Sequence, residues 1–179
     1  MELLKTAYQT LSPEDIQQSY RDTCAIKAQQ IVLDHHGISL NEDQLVQESI
    51  ENGWYRPGSG TSVADVGKLL ELHGLEVERS INGSVEDLAD SISKGNAVII
   101  GVDSGELWDN KPWEEFEDWI FGPRADHALI ASGVVVNPLT GEQEVLLTDP
   151  GTGEAAHSYN LDTFLDAWED SNNFMLTTI

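Results

Sequence analysis

The chain has a single cysteine, Cys24, in the stretch Gln18-Ser-Tyr-Arg-Asp-Thr-Cys24-Ala-Ile-Lys-Ala-Gln-Gln-Ile-Val-Leu33. Ala25, Ile26, Ala28, Ile31, Val32 and Leu33 follow it at helical spacing, and Asp22 or Thr23 can cap the helix, so the thiol is expected at a helix start. The positive end of the helix macrodipole favours thiolate over thiol there. A thiolate can attack an acyl carbon, provided that other residues supply a base, a group orienting that base, and donors for the developing oxyanion.

Five histidines compete for the role of base: His35, His36, His73, His127 and His157. His35 and His36 lie about three turns along the cysteine helix, roughly 16 Å away and out of reach. His73 ends another helical pattern and suits a dipole partner at a helix C-terminus. His157 lies in a polar segment beyond a glycine turn. His127 opens the apolar run Ala128-Leu-Ile-Ala-Ser-Gly-Val-Val-Val136 directly after a long acidic loop. A histidine there is either structural or, facing a lone thiol, the base.

The orienting carboxylate would come from an adjacent element. Asp149 ends the run Glu144-Val-Leu-Leu-Thr148, which returns from the turn Asn137-Pro-Leu-Thr-Gly141. A symmetric hairpin sets Asp149 opposite about residue 130, an offset from His127 of roughly 10 Å along the strands. Contact would need a bulge, a sheared register or a turn centred elsewhere, and Asp149-Pro150-Gly151 also reads simply as a turn. Asp126 is unsuitable, because adjacent side chains on a strand point to opposite faces. Gln18 could offer amide donors beside the backbone N–H of Cys24, although Gln9, Gln17, Gln29 and Gln30 are close by.

The elements that would position these residues form an α+β order. Helices are expected after Ser12-Pro13, from Cys24, from about Asn41, over about 61–73 and after Ser84. A strand is expected over Leu75–Ile81. Ala97-Val-Ile-Ile-Gly-Val102 is a buried strand, followed by an acidic loop over 103–124 carrying Trp108, Trp113 and Trp119. The hairpin, a helix over 161–171 and a strand over 173–179 complete the chain. A single domain over 1–179 is expected, with a helical half about 1–95 and an antiparallel sheet half about 96–179.

Nine basic residues against 32 acidic ones give a formal charge of −23. Such a surface repels nucleic acid and anionic lipid, so neither is an expected partner, whereas a basic peptide or protein is compatible. One cysteine excludes an internal disulfide, and no signal peptide or long apolar run is visible, so a cytoplasmic location is expected. No cofactor or metal is expected, since Asp34-His35-His36 has neither a suitable face nor a partner pair.

The spacing Gln18-x5-Cys24, with Asp22-Thr-Cys24-Ala25, Asp126-His127-Ala-Leu-Ile and Leu147-Thr-Asp149-Pro-Gly-Thr-Gly, resembles the papain-like cysteine peptidases. The bacterial branch typified by double-glycine leader (bacteriocin-processing) peptidase domains is the most similar. The resemblance runs from about 15 to 179 and implies a helical half carrying the nucleophile, packed on the sheet half. It implies Cys24 as nucleophile, His127 as proton shuttle, Asp149 as its orienting group and Gln18 as an oxyanion donor. Ala25 stands where glycine is common, and Asp22 lies two residues before the cysteine rather than one. Leader processing is not carried over, because the transporter helices to which such domains are usually fused are absent from the sequence. The function this implies is hydrolysis of a peptide or isopeptide bond. An acyl transferase with the same residues, or a silent acidic binding module on the same fold, are the alternatives.

Overall fold

The computed structural model describes residues 8–108 and 126–179. Helices α1 (Pro13–Ile16), α2 (Cys24–His35) and α3 (Glu42–Glu51) come first, followed by the short strands β1 (Tyr55–Arg56) and β2 (Gly60–Thr61). A 3-10 turn (Val63–Asp65), α4 (Lys68–Leu72), β3 (Val77–Ser80) and α5 (Val85–Ser93) lead to β4 (Val98–Val102). Then come α6 (Ser104–Leu107), β5 (His127–Val136), β6 (Gln143–Asp149), β7 (Glu154–Asn160), α7 (Leu161–Glu169) and β8 (Met175–Thr178).

Six strands form one antiparallel sheet in the order β3-β8-β4-β5-β6-β7. Helices cover both faces. On one, Ile26, Ile31, Leu69 and Leu70 meet Ile99, Ala128, Ile130 and Leu176. On the other, Leu88, Phe164 and Trp168 meet Val98, Ile100, Leu129, Ala131, Val145 and Leu147. Consecutive residues of β5 therefore alternate between two apolar layers, which is why the strand reads as an unbroken apolar run.

The α+β class is as expected, but the division at about residue 95 is not a boundary in space. β3, from the helical half, pairs with β8 at the end of the chain, Val77 opposite Thr178. The helix expected over 61–73 is also interrupted. Gly67 takes φ +92°, and a Cβ there would collide with Leu176 Cδ1, so chain direction changes where only glycine fits. β7 had no signal beyond a polar stretch, because an edge strand with mostly exposed residues lacks clean alternation. Of the acidic loop, residues 103–108 hold α6 and Trp108; the remainder, with Trp113 and Trp119, lies outside the described residues.

Candidate active site

Cys24 is the first residue of α2 and is 2% exposed. Thr23 occupies the cap position without a side-chain cap hydrogen bond; its Oγ1 donates instead to Glu42 Oε1 at 2.6 Å. Asp22 does not cap either. It accepts from Tyr55 Oη at 2.8 Å and from Gly58 N at 2.7 Å, tying the glycine-rich ribbon to the start of the cysteine helix.

His127 is the first residue of β5, opposite Val102. Its Nε2 lies 2.5 Å from Asp149 Oδ1. The expected obstacle to this contact is removed by a bulge. Gly133 to Val136 pair with Leu146 to Gln143, but beyond the unpaired Ser132 the partners become Ala131 with Leu147 and Ile130 with Thr148. The buried Ser132 Oγ and Thr148 Oγ1 are 2.7 Å apart and fasten the bulge.

Asp149 is fully buried, and its carboxylate is matched on both oxygens. Oδ1 also accepts from Gly151 N at 2.8 Å, and Oδ2 accepts from Trp108 Nε1 at 3.0 Å. The Trp108 ring meets the His127 ring edge-on, centroids 5.2 Å apart. Gly151 leaves room for both: a Cβ there would sit 3.0 Å from His127 Cε1 and from Trp108 Cη2.

Burial alone would push the His127 pKa down, but the Asp149 charge and hydrogen bond, reinforced by the Cys24 side chain, hold it well above its ordinary value. Burial likewise opposes ionisation of Asp149, but His127, Gly151 N and Trp108 together hold its carboxyl below the usual range. The pair is thus built to be charged. With Nε2 committed to Asp149, Nδ1 is the ring nitrogen left for Cys24. A thiol, an imidazole and an imidazole-orienting carboxylate in this order can carry out acyl transfer.

Gln18 is tied to the same corner, its backbone N donating to Pro150 O at 2.9 Å. Its Nε2 donates to Tyr20 O at 2.7 Å and Arg21 O at 2.9 Å, while its buried Oε1 has no hydrogen-bond partner among the described residues. The other histidines are elsewhere engaged. His36 Nδ1 is 2.9 Å from Val32 O, His73 Nε2 is 2.7 Å from Glu48 Oε2, and half-exposed His157 is 3.5 Å from Glu154. His35 ends α2, as its distance along the helix required. Asp126 accepts from Ser104 N and Oγ, each at 2.7 Å, at the start of α6, whose N-cap is Asp103. Trp108, which donates to Asp149, and Glu42, which accepts from Thr23, lie at no spacing in the sequence that marks these contacts. Among the described residues no group of three or more His, Cys, Asp or Glu side chains could hold a metal, and no helix is long and apolar enough to cross a membrane.

A cysteine at a helix start beside a His–Asp pair carried on antiparallel strands is the arrangement of the papain-like class. Within it, the chain belongs to the Peptidase_C39 like family, whose model matches residues 7–174. Uncharacterized proteins Rv1268c of Mycobacterium tuberculosis H37Rv and Mb1299c of Mycobacterium bovis are each 31% identical over 131 residues, 68% of this chain. That match covers 54% of each relative, so the chain spans about half the length of the curated relatives it matches. A crystal structure from Bacillus anthracis assigned to the C39-like peptidases is similar in fold, with TM-score 0.66, 16% identity and 92% of both chains covered. The peptidase domain of Streptococcus ComA, a bifunctional ABC transporter of a quorum-sensing pathway, gives TM-score 0.61 at 16% identity, covering 91% of this chain and 96% of that one. The double-glycine motif protease of an AMS/PCAT transporter, solved with its leader peptide, gives 0.55 at 13%, covering 91% and 89%.

Proposed function

We propose that this chain is a cysteine peptidase that hydrolyses a peptide or isopeptide bond through Cys24, His127 and Asp149. The observation that carries the reading is the 2.5 Å contact between His127 Nε2 and Asp149 Oδ1, with Cys24 acting on the same ring. The Cys24 thiolate attacks the carbonyl carbon, and the π electrons move to oxygen. The oxyanion is held by the backbone N–H of Cys24 and by Gln18, once the Gln18 amide releases one of the carbonyls it now serves. Collapse expels the amine, which takes the proton from His127, and leaves a thioester. Water then attacks the thioester, with His127 accepting its proton and Asp149 steadying the imidazolium; collapse of this second intermediate breaks the C–S bond, releasing the acid product and restoring the Cys24 thiolate beside protonated His127. The net charge of −23 suits a cationic peptide substrate better than an acidic one.

An inert structural cysteine would also be 2% exposed, so reactivity is the discriminating property. Incubation with a peptide library, read by mass spectrometry, is expected to show sequence-dependent cleavage by the wild type and none by Cys24→Ala. Products joined to an added amine rather than water would assign acyl transfer. Capture of peptides without cleavage, identical in Cys24→Ala, would make the chain a binding module.

A further inference from the structure

Glu42, the first residue of α3, is only 6% exposed. Burying a carboxylate is costly unless donors meet its oxygens. Here the donors come from one segment. Ser19 N approaches Oε1 and Oε2 at 3.1 and 3.0 Å, and Thr23 Oγ1 donates to Oε1 at 2.6 Å. Ser19 and Thr23 are the first and last residues between Gln18 and Cys24, so one carboxylate grips both ends of that segment. The adjoining Asp43 accepts from Tyr20 Oη at 2.6 Å. The start of α3 is itself secured by Asn41, whose side chain accepts from Gln44 N at 2.8 Å, and its positive end favours the negative charge of Glu42.

The sulfur and the segment are held by different forces. Cys24 rides on α2, whose Ala25, Ile26 and Ala28 are fully buried in the core beneath the sheet. The Gln18 amide, in contrast, is bonded to Tyr20 O and Arg21 O within the gripped segment. We propose, on the reading of Cys24 as an acyl-transfer nucleophile, that Glu42 is a positioning residue for the oxyanion side of the site. It holds residues 18–23 in place and leaves the thiolate to α2 and His127. The clamp fixes the backbone that carries the Gln18 amide, so that release of one carbonyl is the only rearrangement needed to bring an amide N–H to the developing charge.

Two probes separate these roles. Iodoacetamide alkylates sulfur by displacement at a CH2 carbon and forms no oxyanion, whereas p-nitrophenyl acetate must pass through a tetrahedral oxyanion. Glu42→Ala is expected to lower kcat for the ester roughly 10- to 100-fold, less than the roughly 10²- to 10³-fold that removal of an oxyanion donor itself costs, because the donors remain but are less well held. Its KM and its Cys24 alkylation rate should stay within about threefold of wild type, marking an interaction made only in the transition state. Glu42→Gln keeps an acceptor for Ser19 and Thr23 and should recover most of kcat. Thr23→Val, which removes one donor and spares the carboxylate, should show the same pattern more weakly and serves if Glu42→Ala does not fold. Equal losses with both probes, or unchanged ester turnover in all three variants, would overturn the assignment. A wild-type Cys24 that alkylates no faster than free cysteine would instead sink the underlying reading of the nucleophile.

Discussion

His127 and Asp149 lie on neighbouring strands, on one face of the sheet and two residues out of register, because Ser132 is left unpaired between them and the hairpin turn. In the register set by Gly133–Leu146, Asp149 would stand opposite Ile130 and point away from the His127 face. The bulge moves it opposite Leu129, whose side chain shares that face, and a diagonal gap of about 7–8 Å is one that an aromatic ring such as the His127 imidazole reaches across. Residue count rather than bulge shape then governs the contact. Deleting Ser132 should give an uninterrupted ladder with the same partners on either side and keep activity within about tenfold, with some stability lost with the Ser132–Thr148 pair. Peptide turnover and the low-field imidazole N–H proton resonance measure this. Loss of both in a folded variant would show that the local twist of the bulge, not the count, aligns the pair.

The charged pair makes stability depend on pH in a defined window. The folded pKa of His127 is raised above 6.5, so its contribution is complete below 6.5 and is lost as pH rises through the raised value. The folded pKa of Asp149 is lowered below 3.8, so its contribution is complete above 3.8 and is lost as pH falls through the lowered value. The stability difference between wild type and Asp149→Asn, from urea midpoints, should be largest between about pH 4 and 6.5 and shrink on either side. A difference that grows from pH 6 to pH 10 would contradict the charged pair.

Trp108 couples to Asp149 through a single donor, and this yields a test by double substitution. Asp149→Asn should lower kcat about 10²- to 10⁴-fold, as for other triads that lose the carboxylate. Part of that loss is a clash: when the Asn oxygen accepts from His127, its NH2 faces the Trp108 N–H, and two donors oppose each other. Trp108→Phe keeps the ring against His127 and removes the donor, so alone it should cost about 1–3 kcal/mol by orphaning Oδ2. In the Asp149→Asn background it should cost less, or restore activity. Additive losses in kcat would remove Trp108 from the site. Gly151→Ala, which presses a methyl group on both rings, should lower kcat with little change in KM.

Much of the candidate site was legible in residue order. A lone cysteine before a helical apolar pattern, a histidine opening a buried strand, an aspartate ending the returning strand and a glutamine six residues before the thiol mark the four candidates. Helix period, capping residues and the turn at Asn137–Gly141 are local signals, and they placed α2, α3, α5, α7 and most of the sheet. Gly67 broke a local pattern because its constraint comes from Leu176, over a hundred residues away in sequence.

What only the tertiary structure decided was which local choices meet. Strand register is set by cross-strand packing, so whether Asp149 reaches His127 depended on one unpaired residue that no propensity announces. Trp108 and Glu42 carry no pattern at all. Each is defined by a donor or carboxylate arriving from a distant element, and a hydrogen bond across 41 or 19 positions is a property of the folded chain alone.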